Sequence, residues 1–237
     1  MKNHPCHFHK DLMEPKRCHI FVIGQGRTAT RSICCAIYLL GFSVRHGFGS
    51  CSECSDDALK KYANHQCDLD QYKTCECSGE LPGLHWQELA EERPDAKFIL
   101  TTRPLESWLH SWEKKKKRAG KRIETALNQK LHWLTANIIH RYGMIGYDRE
   151  VWQNGFVKYN KEVQEYFEGS GRLIVMNPWT TADSDLWIML ATFLDRPIPK
   201  LPFPHISRGG RWEMPDGRQI TMLLGIPKIR NSSGVKK

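Results

Sequence analysis

Residues 21–32 read FVIGQGRTATRS. Together with the residues on either side they form an apolar run, HIFVI (19–23), a turn containing Gly24 and Gly26, and a second apolar stretch, SICCAIYLLGF (32–42). The first run is β-branched and aromatic without alternation, which predicts a parallel strand buried on both faces. The second predicts a helix that stops at Gly41. A strand, a glycine turn and a helix start in that order present free backbone N–H groups and the positive end of a helix dipole, a geometry that suits phosphate or sulfate.

The turn also excludes two common occupants. An ATP-hydrolysing loop ends in Gly-Lys-Ser/Thr, whereas this one ends Ala29-Thr30-Arg31-Ser32 and carries its basic residue early, at Arg27. A dinucleotide fingerprint needs a third glycine where Ala29 stands, and an acidic residue closing the next strand, which is missing here.

The rest of the chain continues a strand and helix rhythm. HWQELAEERPD predicts a helix closed by Pro94, AKFILTTR a second core strand, FVKYNKEVQEYF a helix, GRLIVMN a third strand and DLWIMLATFL a last helix. One or two helices with a basic face are expected between Ser107 and Gly143. PIPKLPFP is a stiff exit segment, and the basic tail from about residue 206 is expected to be loosely ordered. This predicts a three-layer α/β/α fold with a central parallel sheet and P-loop NTPase-like topology. With 237 residues, 40% of them hydrophobic, the chain supports one domain, with a short extension over 1–17 and a basic tail over 208–237.

Lys and Arg number 35 against 26 Asp and Glu, a formal net charge of +9 that favours anionic partners. No apolar run reaches the length of a signal core or a membrane span, so a cytoplasmic setting is expected. The nine cysteines are an odd count and read as reduced thiols. Cys51, Cys54, Cys67, Cys75 and Cys77 raise the question of zinc, but Cys-x-Cys has a poor bite for a tetrahedron, and no metal is expected.

A second anion group follows the second core strand, in TTRPLESWLHSW. Arg103 leaves the strand end, and Ser111 lies eight positions on, inside a helix. A guanidinium and a hydroxyl converging from there would clamp a second phosphate. Trp108 and Trp112 could flank a base, but at helical spacing such residues are more often core.

The sequence at this point resembles the sulfotransferases that use 3′-phosphoadenosine 5′-phosphosulfate (PAPS), in particular a small soluble P-loop branch. GRTAT corresponds to that family's phosphosulfate turn, and Arg103 with Ser111 to its 3′-phosphate pair. KFILTTRPLESWLHS, GELPGLHWQEL, FVKYNKEVQEYF and PFPHIS are similar to further segments of the branch, in order, over about residues 19–207. The sequence departs from the branch at Ala29 for the turn glycine, Arg31 for a threonine, Tyr159 for a histidine and Ser207 for an asparagine.

The resemblance implies sulfuryl transfer from PAPS to an acceptor hydroxyl or amine, without a metal. The donor would be held by Gly26, Arg27, Thr28, Ala29, Thr30, Arg31, Ser32, Arg103 and Ser111, with Arg27 beside the bridging oxygen. Glu80, just after a sheet strand, is the first choice of general base, with His46, Glu76 and His85 in reserve. Two other readings stay open: a catalytically silent relative that binds a nucleotide or a partner protein, and a nucleic-acid binder using KKKKR (114–118). Arg208-Gly209-Gly210-Arg211-Trp212 offers either a cover for the 3′-phosphate or a flexible tail.

Overall fold

The computed structural model describes residues 19–47, 75–114, 147–206, 211–223 and 226–231. Five parallel strands form the central sheet: β1 (Ile20–Val22), β2 (Val44–His46), β3 (Cys77–Gly79), β4 (Lys97–Thr101) and β5 (Leu173–Met176), in the order β2-β3-β1-β4-β5. β1 pairs with β3 and β4 on its two sides, with Phe21 opposite Ser78 and Phe98.

Period-two alternation then sorts the central strands between two cores. Ile20, Val22 and Ile99 enter one core with Ile33 and Ile37 of α1 (Thr30–Leu39), and with Leu186 and Leu190 of the C-terminal helix Asp183–Phe193. Phe21, Ile23, Phe98 and Leu100 enter the other, with Leu89 of α2 (Trp86–Glu92) and Val163 of the long helix Arg149–Tyr166. Among the described residues the remaining α-helices are, in chain order, α3 (residues 105–114), α4 (Arg149–Tyr166) and α5 (Asp183–Phe193). The three-layer α/β/α architecture with a central parallel sheet is as the apolar runs predict.

α1 ends with Gly41 at φ +93, the left-handed value that closes a helix. α4 starts earlier than its apolar pattern suggests, because the Asp148 side chain accepts from Val151 N at 2.9 Å and caps it. A third small core joins α3 to α4, with Trp108 stacked on Phe156 at 4.3 Å between ring centres. Trp108 is fully buried, so of its two sequence readings the core one holds.

The tail differs from expectation. Instead of loose chain, β6 (Arg211–Glu213), β7 (Arg218–Leu223) and β8 (Ile226–Asn231) form an antiparallel sheet. Met214 and Ile220 are buried against Cys35 and Leu39 of α1, and removing that apolar surface from water holds the segment in place without a ligand. Of KKKKR only Lys114 is described; Arg118 and the lysines between lie outside the described residues, as do Ser207 to Gly210.

Candidate functional site

The carboxyl ends of β1, β2, β3 and β4 open onto one crevice, the usual ligand position of a parallel sheet. The glycine turn lies there, pinned on several sides. A Cβ on Gly24 would stand 1.7 Å from Thr101 Oγ1 and 2.8 Å from the Thr101 carbonyl, so only glycine fits against β4. Thr28 Oγ1 lies 2.5 Å from the Gln25 carbonyl, to which it donates, and 2.6 Å from Thr101 Oγ1. Trp108 Nε1 donates to the Gly26 carbonyl at 3.0 Å. Tyr159 Oη shares its hydrogen between the carbonyls of Ile23 (2.5 Å) and Gly83 (3.0 Å), tying the turn to the segment after Glu80.

Two non-glycine residues of the turn are left-handed, Arg27 at φ 75 and Ala29 at φ 65. Ala29 therefore accepts the strain its sequence position posed, about 1 kcal/mol. It is also the N-cap of α1, and it offers no side-chain acceptor to the first-turn N–H groups. Ala29 thus contributes no capping oxygen that would compete with a ligand for the positive helix end.

The basic side chains converge on this turn from far away in sequence. Arg27 Nε donates to Ser111 Oγ at 2.8 Å, and Arg103 Nη1 to the Arg27 carbonyl at 3.3 Å. Arg103 Nε donates to Ser107 Oγ at 2.9 Å, and its guanidinium stacks 4.3 Å above the Trp179 ring. Burial, and then the charge of Arg27, hold the Arg103 guanidinium below its usual pKa. Anion binding between the two cations would offset that repulsion.

The sequence pairs Arg103 with Ser111; the structure gives Ser111 to Arg27 and Ser107 to Arg103. Ser107 and Trp179 are additions to the sequence reading. Trp179 had one available signal, its place just past the third core strand. Ser32 is buried and accepts from Ile206 N at 3.0 Å, while Arg31 is exposed.

A second line of side chains crosses the ends of β2 and β3. Thr30 Oγ1 lies 2.9 Å from His46 Nε2, and His46 Nδ1 lies 3.5 Å from Glu80 Oε2. Burial pushes the His46 pKa down, Glu80 opposes that shift, and Arg31 reinforces it. Glu80 stands at φ 75, ψ −58, a sparsely populated γ-turn conformation that aims its carboxylate toward His46 and Gly47.

Of the reserve bases, Glu76 is at the wrong end of the sheet. It accepts from Ser43 N and Oγ at 2.9 Å, before β2 and β3 begin. Parallel strands rise about 3.3 Å per residue, so their amino ends stand roughly 10 Å from the crevice. His85 is buried as the N-cap of α2, with Nδ1 4.0 Å from Glu88.

Cys75 packs in one core and Cys77 in the other, on opposite faces of the sheet, so they cannot share one metal ion. Cys51, Cys54 and Cys67 lie outside the described residues. Among the described residues no cluster of three His, Cys, Asp or Glu could hold a metal.

Residues 19–212 match the family model of the sulfotransferase domain. The chain belongs to the sulfotransferase family. No curated protein matches it significantly in sequence. Among solved structures, a sulfotransferase from Alicyclobacillus acidocaldarius is 14% identical, with a TM-score of 0.49 over 78% of this chain and 84% of that one, too loose a likeness to bear on activity. In this sulfotransferase the family match takes in the glycine turn, Glu80 and Arg103, and it ends at Trp212. β7 and β8 lie beyond it.

Proposed function

We propose that this sulfotransferase moves a sulfuryl group from PAPS to an acceptor hydroxyl or amine. The observation that carries the reading is the meeting of Arg27, Arg103 and Ser111 at an uncapped helix start. Two cations, hydroxyls and free N–H groups are a donor set for phosphate-type anions and a poor one for metals. When bound, PAPS supplies an activated sulfuryl group whose leaving oxygen belongs to a phosphate.

The chain's own residues then divide the work. The first N–H groups of α1 and the Thr30 hydroxyl hold the 5′ end. Arg27 exchanges Ser111 for the anion and neutralises charge on the leaving oxygen; a guanidinium gives up no proton, so its help is electrostatic. Arg103, oriented by Ser107 and Trp179, takes the 3′-phosphate with Ser111. Glu80, whose side chain is 44% exposed, accepts the acceptor's proton. Thr28 serves the turn itself, since its hydroxyl is spent on Gln25 and Thr101.

Space for a nucleoside or an acceptor lies beside Arg103, in a cavity of about 510 Å³ lined by Thr102, Leu105, Phe156 and Asn160. Among the described residues no helix is long and apolar enough to cross a membrane, and the reading keeps the cytoplasmic setting. A second reading, a silent relative that binds without transfer, is favoured by the Thr28 and Thr30 hydroxyls already being engaged within the protein. Calorimetry with adenosine 3′,5′-bisphosphate, followed by transfer of labelled sulfate from PAPS to an acceptor library, tests both. Binding with transfer supports the enzyme, binding without transfer the silent relative, and no heat at high micromolar ligand sinks both.

A further inference from the structure

Thr30, first residue of α1, meets His46 rather than solvent, and this bears on how the turn holds an anion. The inference rests on the donor reading above. Thr30 Oγ1 is 2.9 Å from His46 Nε2, and His46 Nδ1 faces Glu80 Oε2 at 3.5 Å. An ionised carboxylate only accepts, so the ring hydrogen of neutral His46 belongs on Nδ1. Nε2 is then a lone pair, and Thr30 donates its single hydroxyl hydrogen to it. In that state Thr30 turns oxygen lone pairs toward the crevice, which repel an anion.

A proton on Nε2 reverses the bond. The ring now donates to Thr30, and the hydroxyl hydrogen is released to point at a ligand. We propose that Thr30 donates to a bound 5′ anion only when His46 carries this second ring proton, so that anion binding and uptake of one proton at His46 occur together. The proton is taken up from solvent at Nε2, the ring nitrogen that faces Thr30. His46 itself is a positioning residue, acting through Thr30.

The groups around His46 support the coupling. His46 is 5% exposed, and burial disfavours its charged form. Glu80, after β3, favours the imidazolium, and Arg31, on α1, opposes it. The Cys34 thiol, which with His46 Cδ2 closes on Gly79, is buried. An anion at the head of α1 adds negative charge that, with Glu80, works against burial and the Arg31 charge, so it tips the balance toward protonation.

The test measures the dissociation constant of adenosine 3′,5′-bisphosphate from about pH 5 to about pH 8, the range of histidine titration, for the wild type, His46→Gln and Glu80→Gln. The His46 ring carbon is followed by NMR with and without ligand. Taking the ratio of wild type to His46→Gln cancels titration of the ligand's own phosphates. That ratio is expected to fall roughly tenfold per unit fall in pH between the free and bound His46 pKa values, the slope of one linked proton. The His46 titration is expected to move upward on binding, and Glu80→Gln to move the whole dependence to lower pH. A ratio flat in pH, or a His46 resonance that titrates alike with and without ligand, overturns the coupling and leaves the donor reading standing. Absence of binding at every pH overturns both. Should His46→Gln not fold, the wild-type resonance and Glu80→Gln decide.

Discussion

Arg27 Nε donates to Ser111 Oγ at 2.8 Å, joining a turn after the first strand to a helix 84 residues later. This bond links the two proposed anion positions, and Arg103, bonded to the Arg27 carbonyl, completes the group. Arg103→Ala is expected to weaken adenosine 3′,5′-bisphosphate binding at least tenfold, since a hydrogen bond to a charged group is worth about 1.5–3 kcal/mol. Trp179→Ala, which removes only the stacking surface, should cost roughly two- to fivefold, in line with about 0.5–1 kcal/mol for an exposed cation–π pair. Calorimetry measures both, and an unchanged affinity in Arg103→Ala would remove that residue from the 3′ site.

Backbone strain in the turn is measurable without any ligand. Ala29→Gly relieves a left-handed φ of 65 and is expected to stabilise the protein by about 1 kcal/mol. In a protein of this size that raises Tm by roughly 2–4 °C. Gly24→Ala should do the opposite by about 1–3 kcal/mol or more, because its Cβ meets Thr101 side chain and backbone alike. Thermal unfolding of the two variants compares them directly.

If Glu80 takes the acceptor's proton, Glu80→Gln lowers kcat by roughly 10²–10⁴-fold, the usual weight of a general base. The fall in kcat should exceed the loss of donor affinity in the same variant. Single-turnover transfer from labelled PAPS separates the two, and a kcat within a few-fold of wild type would assign the base elsewhere.

Cys35 faces the C-terminal sheet from α1, and burial, with Cys34 beside it, pushes its thiol pKa from 9.0 to about 12. The folded protein therefore holds its proton where the unfolded chain has released it. Stability from this group is complete below about pH 9 and is lost as pH rises toward 12, at up to about 1.4 kcal/mol per pH unit. Urea unfolding across that range should show a shallower decline in Cys35→Ala than in wild type. Native-state alkylation at neutral pH should spare Cys35, which mass spectrometry of its peptide would show.

The main strands were legible in the sequence because their signal is local. IFVI (20–23) and FIL (98–100) are apolar without alternation, which a strand covered on both faces requires. β2 was not, since VRH is three residues long and reads as strand only once Glu76 has fastened its amino end to β3. The tail misled for a related reason. Its polar composition hid Met214 and Ile220, whose burial depends on α1 being there to receive them.

The sequence by itself determined the family, the glycine turn between the first strand and the first helix, and the places of Arg27 in that turn and of Arg103 just past a core strand, because each follows from residues adjacent in the chain. Only the tertiary structure decided which hydroxyl each arginine takes, that Thr30, His46 and Glu80 form a line, and that Cys75 and Cys77 face apart. Those contacts depend on strand order and register between segments tens of residues apart, and no local pattern of residue types encodes the few ångströms that separate one hydrogen-bond partner from its neighbour.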